Sequence, residues 1–144
     1  MEQVDEMLDK SEKGWPYNTI ENARIILEND ELFKGHIRDN LFRDRIELSG
    51  RMPWSRTYLD ITDKDDIHIR HYVEKYYHFR NDKALSAALQ IVATEYEYHP
   101  VREYLKSLKW DGVERVRYGL PHFLGTSGSD YEDECLHLLM LGGI

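Results

Sequence analysis

Four aspartates, Asp60, Asp63, Asp65 and Asp66, crowd one short stretch of the chain. Carboxylates at that density could hold Mg²⁺ or Ca²⁺, and Asp60, Asp63 and Asp65 would then be the ligands of a small metal-dependent nuclease or primase-like enzyme. A calcium loop counted from Asp63 puts Asp65 and Glu74 in ligand positions, but it places His68 where the turn demands glycine. Acids at a helix start that complement its dipole are the simpler reading. His68 and His71 could share a metal, yet neither a His-Glu-x-x-His pattern nor a cysteine pair supplies further ligands. Cys135 and His137 lie two apart and so on different faces of a helix, and His99 reads as a helix-start residue rather than a base. The loop Gly125-Thr126-Ser127-Gly128-Ser129 lacks the lysine and the preceding strand of a phosphate cradle. No nucleophile, base and orienting group come together. The reading therefore assigns no catalytic residue, no metal ligand and no cofactor.

Cations point elsewhere. The chain carries 19 Lys and Arg against 27 Asp and Glu, a net charge of −8, which excludes a basic protein that coats nucleic acid along its whole surface. The charge is uneven, however. Residues 34–56 hold six basic and three acidic side chains, whereas residues 1–33 hold three and nine. Lys34, Arg38, Arg43, Arg45, Arg51 and Arg56, with Phe42 and Trp54 interleaved, could follow a phosphate backbone and stack on bases. The competing reading is that Arg43 and Arg45 pair with acids on a neighbouring strand or helix.

These residues must be positioned by an α+β fold that is mainly helical, with five to six helices. Residues 1–17 are acidic, and Val4, Met7 and Leu8 make at most two turns, so this stretch is expected to fray. Asn18 with Glu21 resembles a capping box for a helix over 19–29 carrying Ala23, Ile26 and Leu27. A small antiparallel hairpin or sheet is predicted near 36–61. Ile37 begins one strand, Phe42, Asp44, Ile46 and Leu48 form one face of the next, and Tyr58–Ile61 is a further candidate. Thr62 with Asp65 opens a second helix through Ile69, Tyr72, Val73 and Tyr76 toward Phe79. Asn81 or Asp82 caps a third, whose Leu85, Ala88, Leu89, Val92, Ala93 and Tyr96 form the strongest apolar stripe. Pro100 starts a fourth, with Val101, Tyr104, Leu105 and Leu108 on its buried side and Asp111-Gly112 at its end. A shorter helix carries Val113, Val116 and Leu120, interrupted by Gly119 and Pro121. Ser129 with Glu132 opens the last, where Leu136, Leu139 and Met140 recur.

Residues 18–144 thus read as a single module. Its longest apolar run, Leu138–Leu141, is far short of the roughly 20 residues that cross a bilayer, so no membrane partner is expected. A single cysteine suits a reducing cytoplasm. The last helix is apolar on more than one face, from which we expect further protein to cover it.

The segment Tyr98-His99-Pro100-Val101-Arg102-Glu103-Tyr104-Leu105, followed by Leu108-Lys109-Trp110-Asp111-Gly112 and Arg115, resembles the HPVRxYL…LxWDGxxR signature of the virulence-associated protein E family. Members are phage and mobile-island replication proteins with a P-loop ATPase domain of helicase type. Asn22, Ile26-Leu27, Asn40, Pro53-Trp54, Phe123-Leu124-Gly125 and Tyr131 extend the resemblance over residues 18–144. It implies an N-terminal module, truncated before the ATPase domain that handles ATP and Mg²⁺, which contacts DNA, its own ATPase domain or neighbouring subunits without catalysis. An oligomerisation or collar role without DNA contact is the alternative. Within the motif, Pro100 would start a helix, Trp110 would pack its end onto the core, Gly112 would permit the turn and Arg115 would pair with Asp111 or a neighbour.

Overall fold

The computed structural model describes residues 2–142. Among them are seven helices, α1 (Glu2–Met7), α2 (Ile20–Asn29), α3 (Asp63–Tyr77), α4 (Asp82–Glu95), α5 (Pro100–Ser107), α6 (Gly119–Leu124) and α7 (Asp130–Gly142). They are joined by one antiparallel pair, β1 (Ile37–Asn40) and β2 (Arg45–Leu48), so the fold is α+β and mainly helical. Where one module was expected over 18–144, the chain divides into two compact units, Met1–Lys106 and Ser107–Ile144.

The core of the first unit is built on α4. Asn81 caps it by accepting the Ala84 N–H at 3.2 Å, and Leu85, Ala88, Leu89, Val92 and Ala93 are buried against α2 and the hairpin. Tyr96, read from the sequence as part of that stripe, is exposed at the C-cap. Helix α2 contributes Ala23, Ile26 and Leu27, and its cap is Thr19, whose hydroxyl accepts the Asn22 N–H at 3.2 Å. Asn18, expected in that role, instead accepts the Arg80 N–H at 2.7 Å and joins α2 to the start of α4.

The acidic amino-terminal stretch is docked, contrary to the expectation of fraying. Val4 and Leu8 are buried in the core. Asn22, fully buried, accepts the Asp9 N–H at 2.9 Å and donates to the Asp9 and Tyr17 carbonyls, each at 2.8 Å. A single buried amide thus satisfies the main chain on both sides of the turn at 11–16.

Helix α3 has the expected capping box, with Thr62 and Asp65 satisfying each other's backbone N–H groups, and buries Ile69, Val73 and Tyr77. Its other tie is Asp30, a buried carboxylate after α2, which accepts hydrogen bonds from the Tyr77 and Tyr72 hydroxyls and the Leu32 N–H. Burial and this carboxylate raise the Tyr77 phenol above its ordinary value and push that of Tyr72 up to about 12.

In the hairpin, Ile37 faces Leu48 and Asp39 faces Ile46, while Arg38 faces Glu47 and Asn40 faces Arg45. The predicted inward face of Ile46 and Leu48 is correct. Phe42 and Asp44 lie in the turn instead, because Asn40 accepts the Phe42 and Arg43 N–H groups and Asp44 takes a left-handed φ of 53°. Tyr58–Ile61 contributes a bridge rather than a full strand: Leu48 donates to the Leu59 carbonyl and Ile61 to that of Ile46.

Helix α5 forms where predicted but buries nothing: Val101, Tyr104, Leu105 and the following Leu108 are exposed. The core is already closed by α2, α3, α4 and β1. In the second unit α6 and α7 pack on each other, yet no residue of either is buried, and Leu138–Leu141 all face outward. The helix expected from Val113 starts only at Gly119, so that Pro121 falls in its first turn, where a missing N–H costs nothing. Among the described residues no helix is long and apolar enough to cross a membrane.

Candidate nucleic-acid interface

The hairpin is flanked on both sides. Tyr98 pairs alongside β1, donating its N–H to the Asp39 carbonyl and accepting the Leu41 N–H, each at 2.9 Å, while Asp60 pairs alongside β2. The hairpin side opposite Ile37 and Leu48 therefore bears a row of polar residues: Tyr98, Asn40 with Arg38, Glu47 with Arg45, and Asp60.

Glu47 is the centre of this row and only 6% exposed. It accepts the Tyr98 hydroxyl at 2.6 Å and the Asn40 amide at 2.8 Å, with the Arg43 guanidinium at 3.9 Å. Arg43 in turn donates to Asp60 at 2.9 Å. The hydrogen bond to Glu47, helped by burial, raises the Tyr98 phenol above its ordinary value. Arg38 lies over the Tyr98 ring, 4.0 Å from its centroid, a cation–π contact that uses no acid.

Apart from Arg38, the candidate cations thus separate into two kinds. Arg43 is neutralised by Asp60 and Glu47, and Arg56 is internal. Its guanidinium meets Asp65 at 2.6 Å and donates to the Leu48, Leu59 and Asp60 carbonyls, fastening the segment before α3 to β2. Trp54 belongs with Arg56: its indole N–H donates to Asp65 at 2.9 Å and its ring stacks on His68 at 5.1 Å. Burial acts to raise the Asp65 carboxyl, but the hydrogen bonds from Trp54, Thr62 and Arg56 outweigh it and bring the group down to about 2. Lys34, Arg45 and Arg51, by contrast, are exposed and form no ion pair among the described residues. Arg45 stands near the turn beside the exposed Phe42, and Lys34 and Arg51 flank the open end, where Ser49 donates to the His36 carbonyl at 2.7 Å.

The clustered aspartates are divided among different partners: Asp60 holds Arg43, Asp65 holds Arg56 and Trp54, and Asp66 holds Arg70 at 2.5 Å. Among the described residues no three His, Cys, Asp or Glu groups converge as a metal set.

The motif residues fall in both units. In the first, Pro100 opens α5, the His99 ring accepts the Arg102 N–H at 3.3 Å, and Arg102, Tyr104 and Leu105 are exposed. In the second, Arg115 grips Asp111 with two bonds of 2.8 and 2.7 Å, and Gly112 takes a φ of +84°, as the turn requires. Trp110, expected to pack the end of its helix onto the core, is 77% exposed, and its indole donates to the Val113 carbonyl at 3.3 Å. Sequence reasoning missed the Glu47 network. Its one legible sign was Asn40, a strand-disfavouring residue inside the first predicted strand; Tyr98, 58 residues away, gave none.

No protein-family model matches the chain, and no curated protein is significantly similar to it.

Proposed function

We propose that this chain is a non-catalytic DNA-contacting module of a phage or mobile-element replication protein. In this reading it works in the cytoplasm, and its ATP and Mg²⁺ chemistry belongs to a separate P-loop ATPase domain. The motif around His99-Pro100 and Trp110-Asp111-Gly112 suggests the setting. One observation supports the contact: among the described residues Lys34, Arg45 and Arg51, on or flanking one hairpin, form no ion pair, with Arg38 held over Tyr98 and Phe42 exposed in the turn. Arg38 and Arg45 stand on the two strands, with a rise of about 3.3 Å per residue, and Lys34 and Arg51 lie just beyond their open end, so a phosphate backbone following the hairpin would meet cations at both ends.

The test is fluorescence anisotropy with labelled single- and double-stranded oligonucleotides. Three or four phosphate contacts predict that single-strand affinity falls roughly twenty- to fifty-fold between about 50 and 200 mM salt. Arg45→Glu with Arg51→Glu should weaken binding and flatten that slope. Absent or salt-independent binding overturns the proposal. Arg43 is a poor choice of variant, because its loss also strips Glu47 and Asp60 of their cation.

The exposed apolar residues of α7 favour a second role, contact with other protein, which predicts a mass that rises with concentration in sedimentation.

A further inference from the structure

Helix α3 has a second stripe beside the one it buries, joined to the core through Tyr72, which packs on Phe33 and bonds Asp30. Ile69, Val73 and Tyr77 take its buried side. His68, His71, Tyr72, Lys75 and Tyr76, spaced by threes and fours, run beside them. With Trp54 and Pro53 they line a cavity of about 220 Å³. Its walls include the stacked rings of Trp54 and His68 and the Tyr72–Tyr76 pair, whose centroids are 4.6 Å apart. The Lys75 ammonium stands 5.0 Å from the Tyr76 ring. In a chain of net charge −8, no carboxylate among the described residues lines this slot.

These features select a ligand class. Aromatic walls favour a flat ring over a small inorganic ion, and Lys75 opposes a cationic guest while favouring an anionic one. The volume is below the roughly 300 Å³ at which sites for drug-sized ligands begin, so it suits a single ring. Arg51, one of the unpaired cations, lies two residues before Pro53 and brings the slot to the open end of the basic hairpin.

We propose that this slot receives one nucleobase of single-stranded DNA, with the adjoining phosphate against Lys75. The inference rests on the reading of the chain as a DNA-contacting module and sharpens it: a base buried in a duplex stack could not enter.

The experiment compares binding of the full chain to labelled oligothymidylate of about 20 nucleotides and to an abasic strand of equal length and charge. Wild type should favour the base-bearing strand by roughly five-fold or more, the lower end of what one stacked base contributes. Tyr76→Ala should erase that preference, Tyr76→Phe should keep it, and Lys75→Ala should weaken both strands alike. Tyr76 is 43% exposed and outside the core, so the substitution leaves the fold intact. Should Tyr76→Ala nonetheless melt early, the exposed His68 supplies the same comparison as His68→Ala. Equal wild-type affinity for both strands, or a preference that survives loss of the ring, overturns the slot and leaves the hairpin contact standing. Binding to neither strand overturns both.

Discussion

Asp65 carries more of this molecule than any other single carboxylate. It caps α3, pairs with Arg56 and holds the Trp54 indole, all while 4% exposed. Asp65→Ala strands a buried guanidinium, and urea denaturation should show a loss of about 3 kcal/mol or more. The group also sets an acid limit. Its carboxyl releases its proton more readily folded than unfolded, so its contribution is whole above about pH 4 and disappears as pH falls toward about 2. The amount is about 2 kcal/mol, and a pH series on wild type beside Asp65→Asn should show a correspondingly shallower acid loss in the variant over that window. The phenols bonded to Asp30 behave oppositely. Tyr72 and Tyr77 hold their protons more tightly when folded, so stability present below about pH 10 is lost as pH rises, for Tyr72 through about 12 and for Tyr77 higher still. Tyr77→Phe should cost about 1.5–3 kcal/mol and soften that alkaline loss. In the sequence the Thr62–Asp65 cap was plain, because a capping box is local. The same aspartate's hold on Arg56 and Trp54 was not, since tertiary pairing leaves no periodic trace.

Among the elements, helices with a strong apolar period were legible and boundaries less so. Helix α4 forms on the stripe read from Leu85 to Tyr96 as far as Ala93, and of the two predicted caps, Asn81 and Asp82, it uses Asn81. Asn81 also donates to the Asn18 carbonyl at 3.0 Å, so Asn81→Ala should lower thermal stability by about 1–2 kcal/mol in a melt followed by circular dichroism. Helix α5 shows the limit of periodicity. Its apolar residues recur correctly, but a pattern says which face is apolar and not whether anything lies against it. The basic island divides for a related reason: charge counts cannot tell Arg45, free beside the turn, from Arg43, spent on Asp60 and Glu47. The hairpin becomes a wider sheet face only through Tyr98 and Asp60, each from a segment too short to be recognised as a strand.

At the scale of the whole molecule, burial among the described residues is confined to the first unit: no residue from Val101 to Leu141 is buried. A chain ended at Lys106 should therefore unfold within a few degrees of the full one, and limited proteolysis should cut first between Ser107 and Tyr118. The division was hidden in the sequence because no linker rich in Gly, Ser or Pro marks it. Asn22 has a consequence for how this sequence can diverge. It grips Asp9 and Tyr17 by main-chain atoms alone, so the identities of those two residues are open to drift. The asparagine is not: neither aspartate nor leucine offers both a donor and an acceptor, and homologues that keep this entry loop should keep the amide while its surroundings change.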